Sequence, residues 1–94
     1  MHPIIPVDWE RPLTPEEKEL KEHLLSKLPP IVARKEVGKL TGGWLDPKTV
    51  NNEDYKGNGP KRRFNSSRKV LYRSEELIDW AIRRFGMVEV KDFR

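Results

Sequence analysis

Residues 57–72, Gly-Asn-Gly-Pro-Lys-Arg-Arg-Phe-Asn-Ser-Ser-Arg-Lys-Val-Leu-Tyr, have the pattern of a short β-hairpin that carries many positive charges. We expect strands over residues 61–64 and 68–72, joined by a polar turn at residues 65–67. The wider segment from Tyr55 to Ser74 contains seven lysines and arginines and no carboxylate. Charged side chains need water, so this hairpin is unsuited to a core, but it can neutralise the phosphates of a polyanion.

The segment before the hairpin predicts a helix, a turn and a second helix. Residues 34–40 carry apolar side chains three residues apart, so one face of a first helix can be buried. Two glycines within residues 41–45 break that helix. Asp46 and Pro47 then begin the second helix, as its N-cap and its first residue.

The second helix is predicted to bury one face and expose another. We expect Val50 and Tyr55 to point inward. Glu53 and Asp54 also fall in this helix and would repel phosphate if they faced it, so we expect them to point sideways. Polar side chains suited to contacting bases or phosphates lie on the more exposed faces: Lys48, Thr49, Asn51 and Asn52.

Two further helices flank this region. The first starts at Thr14 and Pro15, with Glu17 closing a capping box, and is predicted to run to about Lys27 with a narrow stripe of leucines at 20, 24, 25 and 28. The last starts at Ser74 as a hydroxyl cap and ends before Gly86. Its wide apolar stripe predicts core packing: Leu77, Ile78, Trp80, Ala81, Ile82 and Phe85.

Three segments have weaker patterns. Residues 1–13 contain three prolines, which favour an extended arm that lies along the domain or a partner subunit. Residues 31–33 are compatible with a short strand or an extended lead-in, and residues 87–94 with a final strand or a docking tail. We therefore divide the chain into an N-terminal arm and helix (1–30), a central domain (31–86) and a tail (87–94).

Composition narrows the classes of function. The chain has 94 residues, a net charge of +4, no cysteine and two histidines without a ligand cluster, so we expect no metal and no cofactor. The charge is uneven, because residues 1–30 sum to −2 and residues 31–94 to +6. The sequence contains neither an apolar run of about 20 residues nor a secretory signal pattern, so we expect a cytoplasmic protein without a membrane span. An enzyme is not expected, since no nucleophile–base pair or phosphate-binding glycine loop is found.

From about Leu28 to Arg84 the chain resembles the excisionase-type winged helix-turn-helix domains, which are related to the DNA-binding modules of mercury-resistance-type regulators. Four blocks carry the resemblance, in this order and spacing: Ala-Arg-Lys-Glu-Val-Gly-Lys-Leu-Thr-Gly (33–42), Asp-Pro-Lys-Thr-Val (46–50), Gly-Asn-Gly-Pro (57–60) and Arg-Lys-Val-Leu-Tyr-Arg-Ser-Glu-Glu-Leu-Ile-Asp-Trp (68–80). The fold it implies is mainly α with a small β-hairpin, a winged helix-turn-helix with an extra N-terminal arm and helix.

The resemblance also implies a function and a site. The second helix would enter the major groove of double-stranded DNA through Lys48, Thr49, Asn51 and Asn52. The wing would contact backbone or minor groove through Lys61, Arg62, Arg63, Asn65, Ser66, Ser67, Arg68 and Lys69. The protein would be a nucleoid-associated recombination directionality factor or small transcriptional regulator, with an integrase as a partner and self-association on DNA or through the N-terminal arm and helix.

Two alternatives stay open at this point. The same fold serves as a phage packaging-type assembly subunit, in which the N-terminal helix and its leucines would mediate oligomerisation. An RNA-binding module is less favoured, because Phe64 and Tyr72 are better explained as the apolar part of the hairpin than as stacking platforms for bases.

Overall fold

The computed structural model describes residues 7–90 and consists of helices packed on one small sheet. Its elements, in chain order, are α1 (Pro15–Lys27), β1 (Ile31–Ala33), a 3-10 turn (Arg34–Glu36), α2 (Val37–Leu40), α3 (Pro47–Lys56), β2 (Phe64–Ser66), β3 (Lys69–Arg73) and α4 (Ser74–Phe85). About half of the described residues are helical. Pro3 and Pro6 of the predicted arm, and residues 91–94 of the predicted tail, lie outside the described residues.

The sheet has three antiparallel strands in the order β1-β3-β2, so the chain is α+β rather than helical with an isolated hairpin. Strand β1, left open by the sequence, pairs Val32 with Tyr72 at the centre of the sheet.

The predicted first hairpin strand and turn are wrong in position. Strand β2 spans 64–66, and the turn is formed by Ser67 and Arg68 at φ 49° and 68°. Two successive left-handed residues make the tight turn whose twist suits a two-residue hairpin.

The core lies between the sheet, α3 and α4. Helix α4 buries the stripe that the sequence predicted, except that Phe85 is 43% exposed at the end and meets the Trp80 ring edge-on at 5.6 Å. Tyr72 and Trp80 are among the largest buried side chains. The main cluster comprises Val32, Val37, Leu45, Val50, Tyr72, Leu77, Trp80 and Ala81.

Helix α1 begins as predicted, with the Thr14 side chain accepting from Glu17 N–H in a complete capping box. It packs against α4, and the leucines at 24, 25 and 28 are half-buried there, whereas Leu20 is 43% exposed. Glu17 also binds Arg11 at 2.9 Å, and Arg11 donates to the Ile82 carbonyl at 3.1 Å. The chain before α1 is thereby tied to α4.

The hydroxyl cap predicted for α4 is wrong. Arg73 is the N-cap and makes no side-chain cap hydrogen bond, while Ser74 is the first helical residue and is buried. The backbone N–H of Ser74 donates to the Pro30 carbonyl at 2.9 Å, because β3 runs directly into α4 beside β1. Residues 87–90, the described part of the predicted tail, contain no strand.

The turn between α2 and α3 is closed by local hydrogen bonds. The Thr41 hydroxyl donates to the Val37 carbonyl at 2.5 Å and accepts from Leu45 N–H at 3.0 Å. Gly42 and Gly43 have φ of 64° and 88°, a left-handed backbone that side chains disfavour. Asp46 then caps α3 as predicted, accepting from Lys48 N–H at 2.8 Å.

Candidate nucleic-acid interface

Helix α3 separates its side chains into a buried and an exposed face. Val50, Glu53 and Asp54 are buried, at a spacing of three and four residues. The exposed face, called here the outer face of α3, carries all four side chains that were predicted to read DNA, and also Tyr55: Lys48, Thr49, Asn51, Asn52 and Tyr55.

The inward orientation predicted for Tyr55 is wrong, because its side chain is 92% exposed. It follows Asn51 by four residues and therefore lies on the same side of the helix. Large aromatic side chains are usually buried, so a tyrosine this exposed is unusual. Its ring and hydroxyl place a stacking and hydrogen-bonding group on the outer face of α3. The four-residue spacing between Asn51 and Tyr55 was the feature of the sequence that indicated this exposure, and the prediction overlooked it.

The two carboxylates of α3 are turned inward and paired. Asp54 Oδ2 accepts from Arg34 Nη2 at 2.6 Å and from the Tyr72 hydroxyl. Glu53 accepts from Arg84 on α4. The sideways orientation expected for these acids is therefore an inward one, and the outer face of α3 has no carboxylate.

Two of the side chains that lie beneath α3, Tyr72 and Arg34, have raised pKa values. Burial, and the neighbouring Asp54 carboxylate, raise the pKa of the Tyr72 hydroxyl far above its usual range. Burial opposes the charge on Arg34, but its hydrogen bonds to Tyr72 and Asp54 raise its pKa overall. Arg34 is therefore a permanent cation and Tyr72 a permanent donor at neutral pH.

A groove, called here the basic groove, lies between the 3-10 turn, the start of α3 and the hairpin turn. It has a volume of about 320 Å³ and is lined by Ala33, Arg34, Lys35, Pro47, Arg68, Lys69 and Val70. Four of these seven residues are cations and none is a carboxylate. A polyanion is the ligand class that such a lining favours.

Arg34 joins the basic groove to the outer face of α3. Its Nη1 donates to Asn51 Oδ1 at 2.8 Å, so the amide is held in one orientation. Arg34 and Lys35 were not among the predicted site residues. The sequence feature that could have identified them is the pair of adjacent cations at the start of the predicted first helix, beside the segment predicted to bind DNA.

The predicted wing cations fall into two groups. Those at the stem have partners within the chain: Lys61 lies 4.9 Å from the Trp9 ring, Arg62 binds Glu76 at 3.0 Å, and Arg63 Nη1 lies 3.9 Å from Asp54. Those at the tip, Arg68 and Lys69, make no ion pair with any residue between 7 and 90. The remaining predicted wing residues, Asn65, Ser66 and Ser67, are exposed.

The stem is fixed to the core by the turn before it. Gly57 has φ 82° at the end of α3, and the Trp80 indole N–H donates to the Asn58 carbonyl at 2.6 Å. The hairpin therefore leaves the body of the protein from a rigid base.

Across residues 7–90 there is no cluster of three or more His, Cys, Asp or Glu side chains that could hold a metal ion. Within the same residues no helix is both long and apolar enough to span a bilayer. Comparison of the chain with protein-family models, curated proteins and solved structures finds no match in any of the three.

Proposed function

We propose that this chain is a sequence-specific double-stranded DNA-binding protein with a winged helix-turn-helix arrangement. In this proposal α3 enters the major groove and the β2–β3 hairpin is the wing. The biological role would be that of an excisionase-like directionality factor or a small transcriptional regulator. One observation carries the proposal: the carboxylate-free outer face of α3 and the basic groove are adjoining surfaces, joined by Arg34.

The two surfaces offer the two kinds of contact that DNA recognition needs. Lysine and arginine in the groove suit phosphate oxygens, which position a protein without reading sequence. Amide side chains on α3 suit the base edges, which are distinguishable in the major groove. The inward pairing of Glu53 and Asp54 supports the proposal, because it removes the only acids of α3 from the surface that would approach phosphate.

The positioning role of the groove is tested by the salt dependence of binding to a duplex. Replacing Arg68 and Lys69 together by Ala should make the negative slope of log K against log salt shallower by about 1.8, at roughly 0.9 for each lost phosphate contact. The matched control replaces two exposed lysines of α1, Lys18 and Lys27, which line no part of the basic groove. Equal changes of slope in both double variants would contradict the proposal.

The reading role of α3 is tested by selection of bound duplexes from a random library. The wild-type chain should enrich one motif, and Asn52→Ala should relax one position of it, at about 1–3 kcal/mol for a good contact. Arg68→Ala should weaken all sequences alike. Selection that enriches no motif, at any salt concentration, would remove sequence-specific binding from consideration.

The alternative function, an assembly subunit that oligomerises through α1, has less support. The leucines at 24, 25 and 28, which would mediate it, are half-buried within this chain, and only Leu20 is strongly exposed. Light scattering of the full chain at several concentrations distinguishes the two, because the assembly function requires a defined large oligomer without DNA.

A further inference from the structure

The contact between Arg34 and Asn51 fixes which end of the amide faces outward. A guanidinium can only donate hydrogen bonds, so the atom of Asn51 that lies 2.8 Å from Arg34 Nη1 must be the amide oxygen. The end of Asn51 that points away from Arg34 therefore carries two N–H donors.

Arg34 is itself held at each of its three nitrogens. Besides the bond to Asn51, its Nε donates to the Tyr72 hydroxyl oxygen at 2.9 Å and its Nη2 to Asp54 Oδ2 at 2.6 Å. Its side chain is 20% exposed, whereas that of Asp54 is 4% exposed. The positive charge therefore cannot swing away when DNA approaches, and it stays beside the Asn51 oxygen.

We infer that Arg34 is a positioning residue that makes Asn51 a reader of hydrogen-bond acceptors, with guanine as its preferred base. The inference rests on the proposed function. Guanine presents two acceptors in the major groove, O6 and N7, whereas adenine presents the acceptor N7 and the amino group N6. An adenine paired with both ends of the amide would bring its N6 amino group to an oxygen that already accepts from a cation. Guanine presents only acceptors there, so it would meet only the N–H donors of Asn51.

The test compares base preference at the position that Asn51 contacts. That position is found first, as the one at which Asn51→Ala loses enrichment in the library selection. Fluorescence anisotropy with duplexes differing only there should show guanine bound about 5- to 150-fold more tightly than adenine. A guanine analogue without N7 should lose most of that advantage.

Two variants separate positioning from folding. Arg34→Lys keeps a charge near Asp54 but cannot make three fixed bonds, so the preference for guanine over adenine should fall several-fold while other positions keep theirs. Asn51→Asp leaves Arg34 bonded and removes the N–H donors, so it should lose the guanine preference with a melting temperature near that of the wild type. Asn52→Asp adds the same charge at a neighbouring reading position without contacting Arg34, so it should weaken binding but keep the preference for guanine at the Asn51 position.

The outcomes distinguish the inference from the function on which it rests. Adenine preferred at the Asn51 position, or a guanine preference unchanged in either variant once folded, would overturn the inference and leave duplex binding intact. If the wild-type selection enriched no motif, the proposed function would fail and the inference with it. Loss of guanine preference in Asn51→Asp alone would still support the acceptor-reading role even if Arg34→Lys did not fold.

Discussion

Replacing Gly59 by Ala should destabilise the protein strongly, although Gly59 lies in an ordinary turn without a left-handed backbone. A Cβ at this position would lie 2.0 Å from Asp54 Oδ1 and 3.1 Å from Asp54 Cα. The carboxylate would have to move, but it is held by Arg34 and Tyr72 on its other oxygen. Hydrogen bonds to charged groups contribute about 1.5–3 kcal/mol each.

Loss or weakening of two such bonds predicts a fall of about 3 kcal/mol in the free energy of unfolding. That is a large part of the roughly 5–15 kcal/mol typical of a small domain. It corresponds to a melting temperature lower by about 12–24 °C for a chain of this length. Urea and thermal unfolding followed by tryptophan fluorescence would measure both quantities.

Gly57→Ala is the matched control, because nothing lies within 4 Å of its Cβ and its cost comes from its φ of 82°. A left-handed alanine should cost only about 1–2 kcal/mol. In an Asp54→Ala background the added cost of Gly59→Ala should drop sharply, since the clashing carboxylate is gone. A Gly59→Ala protein as stable as the wild type, or one equally damaged with and without Asp54, would refute the reasoning.

Three further predictions concern acid stability, the base of the hairpin and the outer face of α3. The hydrogen bond from Arg11, acting against burial, lowers the pKa of Glu17 from 4.5 to about 2. Because the folded pKa is depressed, Glu17 stabilises the fold by about 3 kcal/mol above pH 4.5 and loses this as the pH falls toward 2. The stability difference between wild type and Glu17→Gln, from urea unfolding across that range, should therefore shrink with acid; a constant difference would contradict it. Trp80→Phe removes the donor to the Asn58 carbonyl and should cost about 1–3 kcal/mol, and faster amide hydrogen exchange at Asn58 should accompany it; unchanged exchange would contradict the anchoring role. Tyr55→Ala should leave the melting temperature within a few degrees of the wild type, since the ring is exposed, but weaken duplex binding in anisotropy; unchanged affinity would exclude Tyr55 from the interface.

Local signals were sufficient to order the helices and the hairpin, but not to assign strand β1. The capping box at Thr14, the Asp46 cap and the glycine stop at 86 all lie where the helices begin or end, because these are interactions between near neighbours in sequence. The hairpin turn was placed one to two residues too early. Ser67 and Arg68 adopt left-handed angles without glycine, and this choice follows from the register of β2 and β3 rather than from local preference.

The site was predictable only in part, for a similar reason. The exposure of Lys48 and Asn52 follows from helical spacing within α3. The roles of Arg34 and Lys35 do not, because the basic groove exists only once the 3-10 turn, α3 and the hairpin turn meet in space. Tyr55 shows the opposite failure, in which an aromatic residue was assigned to the core although the helix offset placed it outside.

The inward orientation of Glu53 and Asp54 makes α3 compatible with the proposed binding to a polyanion, although the helix carries two adjacent carboxylates. Glu53 and Asp54 are about 100° apart around the helix and flank the direction of Val50, so both fall on its buried face, where Arg84 and Arg34 neutralise them. These pairs attach α3 to α4 and to the start of the 3-10 turn, and so set the angle at which the opposite face is presented. The same acids that lower the net charge of the chain therefore orient the carboxylate-free outer face of α3 beside the basic groove, and the net charge alone would understate the positive charge of that groove.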